Sequence, residues 1–305
     1  MALGSNHVTN TTAATFIPEL WSDEIIAAYK QNLVMANLVS KMSFKGKKGD
    51  TLHIPKPTRG SASVKAASSQ VTLQAATESE VQVLVNKHYE YSRLIEDITE
   101  AQALASLRKF YTGDAGYALA KQVDTDLIQL GRGVNGGNGT AAYNKAVLAG
   151  DGSTLYVDTT NVGNAITDAG IRKIIQTLDD QDVPMDGRVL VLPPVARNTM
   201  MGLARFTEQA FTGETGGGNT IRNGEIGNVY GVKVYVTTNA DTATTNTTRI
   251  GMMFHKDAFV LAEQMGVRSQ TQYKQEYLGT LFTSDMLYGV KELRDEAAIA
   301  IALAA

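Results

Sequence analysis

The chain has 305 residues, no cysteine and a formal net charge of −3. The lack of cysteine excludes disulfides and thiolate metal sites, and the acidic balance excludes a nucleic-acid-binding protein that is basic throughout. The longest strongly apolar run, 297–305, is shorter than the ~18 residues that a membrane helix needs. Residues 1–12 have neither a basic leader nor an apolar core, so we expect no secretory signal.

The first segments predict an extended arm, a short helix and a protruding β-ribbon. Residues 1–15 are small and polar, and apolar residues then recur at four-residue spacing, as Trp21, Ile25, Tyr29 and Leu33. Residues 49–57 are typical of a strand, but two prolines exclude a central position in a sheet. Odd-numbered apolar residues between 71 and 91 mark one face of a second extended segment. A two-stranded ribbon is marginal in water, so this one needs an outside surface.

The rest of the chain predicts helices and strands in a mixed body. Asp97 and Glu100 form a possible capping box for a helix over 99–131. This helix is either continuous or divided near Gly113 and Gly116, and glycines end it. We expect a helix capped by Asp168, a buried strand at 188–192, a helix to 203, a strand at 231–236 and short strands such as 251–254 and 285–290. The predicted fold class is α+β.

No candidate for catalysis or cofactor binding has its required context. Residues 131–136 match G-x-G-x-x-G, but they follow a helix instead of a strand, which favours helix termination over nucleotide binding. The 46–48 segment lacks the residues of a phosphate loop. The possible metal ligands lack the required spacing, although two histidines fall on the predicted ribbon strands: Asp179, Asp180, Asp182, Asp186, His7, His53, His88 and His255. We therefore predict a protein that is not an enzyme and has no cofactor or metal.

Positive charge is concentrated in the predicted ribbon. Residues 41–65 carry seven Lys or Arg against Asp50 alone, and Phe44 is the only aromatic residue that could stack on a base. The remainder of the chain is acidic, which favours docking of the ribbon onto a neighbouring copy over nucleic-acid binding. The predicted intersubunit contacts are Lys45, Lys47, Lys48, Lys56, Arg59 and Lys65.

The order of these segments resembles the major capsid proteins of tailed double-stranded DNA bacteriophages, which have the Hong Kong 97 fold. TFIPELWSDEII is similar to the family's N-terminal arm, GDTLHIPKP to its extended loop, and YALAKQVDTDLIQLGRG to the end of its spine helix, with Asp124 and Asp126 at positions that are often acidic. VPMDGRVLVLPP and GEIGNVYGVKVYVTTNA resemble the axial domain, and FHKDAFVLAEQ and MLYGVKELRDEAAIAI the peripheral domain. The resemblance implies an arm at 1–40, an extended loop at 41–97, a peripheral domain at 98–166 and 247–305, and an axial domain at 167–246.

The resemblance also implies function and partners. Such subunits form hexamers and pentamers that close into an icosahedral head around DNA, with the extended loop lying across an adjacent subunit. It implies assembly in the host cytoplasm, location in the virion, a portal protein, possible decoration proteins and DNA packaged without sequence specificity, but no membrane. About 40 residues precede the ribbon, so we expect a separate scaffolding protein. Some relatives link a lysine of this loop to an asparagine; Lys65 could serve, but no asparagine follows Asn246, so we expect no covalent links.

Three other functions stay open at this point. One is the shell of a bacterial encapsulin-like compartment, which has the same fold; the polar first 15 residues differ from the cargo-binding helix with which such shells usually begin. Another is a nucleotide-binding enzyme that uses the loop at Gly131. The third is a solitary nucleic-acid-binding module, whose binding as a monomer would depend steeply on salt.

Overall fold

The structure, a computed structural model, describes residues 33–43, 45, 48–57, 60–71, 73, 78–97, 106–135, 143, 145–157, 161–203, 227–243 and 248–304. The α-helices in these ranges are α1 (Met35–Leu38), α2 (Ser106–Gln129), α3 (Asp168–Asp180) and α4 (Pro194–Met201). The strands are β1 (Ser40–Ser43), β2 (Thr51–Pro57), β3 (Glu78–Leu84), β4 (Lys87–Glu96), β5 (Val147–Leu148), β6 (Arg188–Leu192), β7 (Asn228–Val229), β8 (Val232–Val236), β9 (Arg249–His255), β10 (Phe259–Lys274), β11 (Gly279–Glu292) and β12 (Ala298–Leu303). No helix in these ranges has both the length and the apolar character to span a membrane.

The first sheet has four strands in the order β1-β10-β11-β4. β1 runs parallel to β10 along 260–263, and the other neighbours are antiparallel. β10 has 16 residues and β11 has 14, so the prediction of short strands here was wrong. β10 lacks a regular alternation of polar and apolar residues, because it is buried at 259–262, exposed at 267–273 and shifted in register between Glu263 and Arg268.

The long helix α2 continues through Gly113 and Gly116. A Cβ atom at either glycine would meet no heavy atom within 4 Å, so both positions face open space. Each glycine costs about 1 kcal/mol relative to alanine. The buried face of the helix compensates for this cost, because Leu119, Val123 and Leu127 pack in the largest apolar cluster.

The ends of α2 test the prediction in part. A 3₁₀ turn at Leu130–Arg132 ends the helix, as the glycines predicted. The predicted start near 99 and the capping residue Glu100 lie outside the described residues. Asp97 accepts a hydrogen bond from Tyr273 Oη (2.7 Å), so its carboxylate joins the four-stranded sheet.

The second sheet has six strands in the order β5-β12-β9-β6-β8-β7. Every residue of β6 and β12 is buried, which explains why β12 and residues 189–192 of β6 are continuously apolar. The buried guanidinium of Arg188 pairs with Asp179. Helices α3 and α4 cover one face of this sheet through a cluster that includes Ile171, Ile174, Leu178, Met200, Leu190, Leu192, Ile299 and Ile301.

The N-cap of α3 is one residue earlier than predicted. Thr167 Oγ1 accepts a hydrogen bond from the Gly170 N–H (3.0 Å), which is the usual N-cap contact. Asp168 is therefore the first helical residue instead of the cap. Its carboxylate pairs with Arg172 (3.1 Å) and suits the positive end of the helix.

The pairing of strands bears on the predicted limits of the domains. β9 and β12 fall within 247–305, the segment assigned to the peripheral domain, yet they pair in the same sheet as β6 and β8. β10 and β11, from the same segment, belong to the four-stranded sheet. The division into domains stays a prediction, and the sheet pairing places its C-terminal segment on both sides of that division.

Candidate intersubunit surface

The predicted ribbon is formed by β2 and β3. The two strands pair antiparallel from Thr51 with Leu84 to Pro57 with Glu78, and they form a two-stranded sheet of their own. The base is anchored, because Val83 and Val85 pack against Val260 and Ala262 of β10. The ribbon is shorter than predicted, since 87–96 forms β4 and pairs with β11.

The described part of the ribbon tip lies outside the core. Residues 60–71 contain no strand and are exposed throughout. Val64 is fully exposed, and Val71 and Leu73 are 64% and 91% exposed. These side chains therefore have no cover among the described residues, as expected for a surface that another molecule covers.

The structure places four of the six predicted basic contact residues. Lys45, Lys48, Lys56 and Lys65 are all exposed, and Lys45 Nζ lies 3.4 Å from Glu263 Oε2. Lys47 and Arg59 lie outside the described residues. The four are spread from Lys45, in the turn after β1, to Lys65 at the tip of the ribbon, instead of forming one compact site.

Acidic residues on β3 reduce the positive charge of the ribbon. Glu78 pairs with Pro57 and Glu80 with Pro55, so both carboxylates stand beside the basic strand. Hydrogen bonds from Gln82 and His53 lower the pKa of Glu80. The ribbon with its base, residues 48–84, then carries four basic and three acidic residues, a net charge of +1, and the remaining residues of the chain sum to −4.

The three histidines that the structure describes lie on different strands, His53 on β2, His88 on β4 and His255 on β9. His88 lies on β4, so the expectation that it sits on a ribbon strand beside His53 was wrong; its Nε2 lies 3.0 Å from Asp285 Oδ2. His255 stands 3.7 Å from the Asp257 carboxylate, and His7 lies outside the described residues. Asp179 pairs with Arg188 at 2.7 Å. Within the described ranges, no group of three or more His, Asp or Glu residues could hold a metal ion.

The glycines after α2 have a packing role. Gly131 is buried, and a Cβ on it would stand 3.2 Å from Met252 Sδ. The glycine segment follows a helix, as the sequence indicated, and Gly136 lies outside the described residues. The geometry that a pyrophosphate needs, a strand followed by a loop and a helix N-terminus, is therefore not present at 131–135.

A buried polar network joins α2 to β4 and β11 of the four-stranded sheet. Asp126 is 4% exposed; its Oδ2 accepts a hydrogen bond from Tyr288 Oη (2.7 Å) and lies 2.9 Å from Lys87 Nζ. Its Oδ1 accepts a hydrogen bond from Gln122 Nε2 (3.1 Å). Burial and the neighbouring carboxylate raise the pKa of Tyr288. The family resemblance drew attention to Asp126, but nothing in the sequence identifies its partners.

Asp124 joins α2 to two other segments. Its Oδ1 accepts a hydrogen bond from the Met35 N–H (2.8 Å), and its Oδ2 accepts one from Asn239 Nδ2 (3.1 Å). The side chain is 1% exposed, and burial raises its pKa. One carboxylate thus fixes both the segment that leads into β1 and the loop after β8. These two aspartates hold elements of the body together, and neither is exposed enough to contact a neighbour.

An acidic group lies against the end of α2. A Cβ on Gly133 would stand 2.6 Å from Glu292 Oε2, so the carboxyl group packs directly on the glycine. Glu292 Oε1 is buried without a hydrogen-bond partner among the described residues. Burial, and then the neighbouring Asp295, raise the pKa of Glu292 to about 7.

This pKa predicts how stability depends on pH. Because Glu292 ionises less easily in the folded subunit, its contribution is fully present below its ordinary pKa of 4.5 and is lost as the pH rises through about 7. Glu292→Gln is therefore expected to flatten this part of the pH profile and to stabilise the unassembled subunit at pH 8 by on the order of 1 kcal/mol. Urea unfolding of both proteins between about pH 4 and pH 8 measures it. If the free energies of unfolding of the two proteins change in parallel with pH, the raised pKa of Glu292 is contradicted.

Comparison with known proteins identifies the family. A family model described as phage capsid protein matches residues 96–302. A solved structure of Mycobacterium phage Che8 has 23% sequence identity and a TM-score of 0.74, covering 94% of this chain and 97% of that one. The capsid of Cyanophage P-SCSP1u has 18% identity, a TM-score of 0.73 and coverages of 99% and 97%. The capsid asymmetric unit of Cyanophage Pam1 has 13% identity, a TM-score of 0.72 and coverages of 99% and 99%.

No curated protein sequence matches the chain. The structural likeness establishes the α+β fold of the Hong Kong 97 type, which confirms the fold class that the order of segments predicted. It does not favour the nucleotide-binding enzyme or the compartment shell. Because the family model covers roughly two thirds of the sequence, the chain belongs to the phage capsid protein family, as a major capsid protein.

Proposed function

We propose that this capsid protein assembles into hexamers and pentamers, which close into the icosahedral head of a tailed bacteriophage and enclose its double-stranded DNA. The observation that carries the proposal is the ribbon, which leaves the core at an anchored base and has an exposed tip. A two-stranded ribbon is marginal in water. A neighbouring subunit supplies the surface that the ribbon needs, and a closed shell supplies one neighbour to every ribbon.

Charge favours this contact. The ribbon with its base, 48–84, carries +1 while the remaining residues sum to −4, so a ribbon laid on another copy meets the opposite net charge. Each exposed ion pair contributes only ~0–1 kcal/mol. Many weak contacts per subunit, over interfaces of ~2,000 Å² or more, therefore hold the shell together.

The proposal includes partners and a place of action. A separate scaffolding protein guides closure, a portal protein occupies one vertex and decoration proteins add to the outside of some shells. DNA is enclosed without base readout, since the chain is acidic overall. Assembly takes place in the host cytoplasm, and the protein acts as a structural component of the virion, without catalysis.

Expression of the full chain, with the phage scaffolding protein where one is encoded nearby, tests the proposal. Negative-stain microscopy is expected to show closed particles or capsomer-like rings. A monodisperse subunit of about 33 kDa at all salt and protein concentrations would overturn the proposal.

The same particles test for covalent links. The chain has no cysteine, and no asparagine follows Asn246 as an acceptor for Lys65. Particles boiled in detergent are therefore expected to run as a single band at the subunit mass. A ladder from dimer to hexamer that survives a reductant would mean that an earlier asparagine, such as Asn161 or Asn164, reaches Lys65 of a neighbour.

A further inference from the structure

The two edges of the ribbon differ in their capacity to pair with another strand. The Val85 N–H donates to the Asp50 carbonyl (2.8 Å). The backbone N–H and C=O groups of even-numbered residues of β2 therefore point toward β3, and those of odd-numbered residues point away from it. Pro55 and Pro57 are odd-numbered. At positions 55 and 57 the backbone nitrogen points away from β3, toward the outer edge of β2. Because proline has no N–H, this edge cannot form a regular hydrogen-bond ladder with another strand.

The outer edge of β3 has no such block. The same alternation turns the backbone groups of Glu78, Glu80 and Gln82 outward. The seven residues of β3 include neither proline nor lysine, the residues that most often protect an edge. In the described part of the chain, only β2 pairs with β3.

A second edge without a partner strand among the described residues lies on β10. β1 covers β10 only at 260–263, and from Arg268 to Lys274 the described residues supply a partner strand on one side alone, which is β11. The register with β11 is regular over these seven residues, and 267–273 are all exposed. No proline interrupts the strand. An exposed and regular edge of this length is a template for pairing with another chain.

We infer that β3 of one subunit pairs, edge to edge, with residues 268–274 of β10 in a second copy of this chain. The inference rests on the proposed function, since it names the strand that receives the ribbon. Both edges are seven residues long. With full overlap, Glu78 falls opposite Lys274 if the strands are antiparallel, so opposite charges meet. If the strands are parallel, Glu78 falls opposite Arg268, whose guanidinium already pairs with Asp285 (2.8 Å).

The pairing occurs between copies because the base of the ribbon is fixed. A Cβ on Gly289 would stand 2.3 Å from the Leu84 carbonyl oxygen, and Gly289 pairs with Ala262. Leu84 therefore sits beside position 262 of its own sheet. The nearest end of the free β10 edge, Arg268, lies six residues further along, at a distance of about 20 Å. The strand cannot reach that register within its own subunit.

The prolines then determine how many strands the ribbon accepts. The edge of β3 pairs with the neighbour, whereas the edge of β2 lacks the N–H donors of Pro55 and Pro57. The contact therefore adds one ribbon to the neighbour's sheet, and no further strand can pair with β2. This matches a closed shell, in which each subunit receives a defined number of neighbours.

Cysteine pairs test the register in assembled particles, because the natural chain has no thiol. Val81 and Thr271 are the central residues of the two edges and are opposite each other in both strand directions. We expect Val81→Cys/Thr271→Cys particles, after mild oxidation, to give disulfide-linked ladders that a reductant removes. Ile54→Cys/Thr271→Cys is the matched control, because Ile54 pairs with Val81 across the ribbon and stands one strand further away, about 10 Å from Thr271 and beyond the reach of a disulfide.

Equal cross-linking of the two variants, or none in either, within particles of normal appearance would overturn the edge pairing and leave the proposed function intact. Hydrogen exchange of unmodified particles covers the case in which a variant does not assemble. Amides of 78–84 and 268–274 are expected to exchange about 100-fold more slowly in particles than in free subunits. Unchanged exchange in both segments would overturn the inference, and failure of the unmodified chain to assemble would overturn it together with the proposed function.

Discussion

Replacing Asp126 with alanine is expected to lower the free energy of unfolding of the subunit by about 3 kcal/mol. The carboxylate is buried between Tyr288 Oη at 2.7 Å and Lys87 Nζ at 2.9 Å. Its loss leaves a buried hydroxyl without its acceptor and an ammonium group, on a side chain only 31% exposed, without its counter-charge. Most of the lost free energy of unfolding therefore comes from leaving Tyr288 Oη and Lys87 Nζ without their partner.

Urea unfolding of the unassembled subunit measures the effect. Glu263→Ala is the matched control, since it also removes a carboxylate paired with lysine, but that pair is 57% and 38% exposed and is expected to be worth less than about 1 kcal/mol. Asp126→Asn keeps an acceptor for Tyr288 and is expected to fall between the two. Equal losses in the alanine variants would show that burial of the network has no energetic weight.

The parts of the fold that sequence predicts are those with a local signal. The ribbon alternates with a period of two and carries prolines, and α3 repeats its apolar residues at helical spacing, so both were found. β12 is apolar at every position because both of its faces are buried, and such a run does not distinguish a strand from a helix. β10 changes from buried to exposed along its length, which hides the period.

In the candidate intersubunit surface, too, the sequence predicts features with a local signal and misses contacts between residues far apart in the chain. Basic residues on the ribbon were evident from composition, since seven of them fall within 25 positions. The ion pair between Lys87 and Asp126, and its link to Tyr288, join residues on three elements that are far apart in the chain. No periodicity or motif relates such positions. Glu78 and Glu80 are evident in the sequence, but only the register between β3 and β2 shows that they lie beside the basic residues of β2.

Reversing the charge of Lys47, Lys48 and Arg59 together is expected to reduce the yield of particles about tenfold or more. Each exposed pair contributes up to ~1 kcal/mol, and reversal turns attraction into repulsion, so three changes exceed the 1.4 kcal/mol that corresponds to a factor of ten. The subunit itself is expected to keep its stability within about 0.5 kcal/mol. Lys48 is exposed near the base of the ribbon.

The control is a triple reversal that changes the net charge equally at a different surface. Lys233, Arg249 and Lys256 are exposed and belong to β8, β9 and the turn that follows β9. Particle yield, by sedimentation and microscopy, and subunit stability, by thermal unfolding, are measured for both variants. Equal loss of particles in both would mean that total charge, and not the ribbon, governs assembly.

The position of β12 in the six-stranded sheet sets the order in which a nascent subunit matures on the ribosome. β12 lies between β5 and β9, so the sheet lacks an internal strand until residues 298–303, about 110 positions after β6, have been translated. At 5–20 residues per second, that delay is on the order of 5–20 s. During this delay the ribbon has already been synthesised, but the body that carries the ribbon is incomplete. The six-stranded sheet, and with it the finished body that carries the ribbon, therefore forms only after β12 has been made.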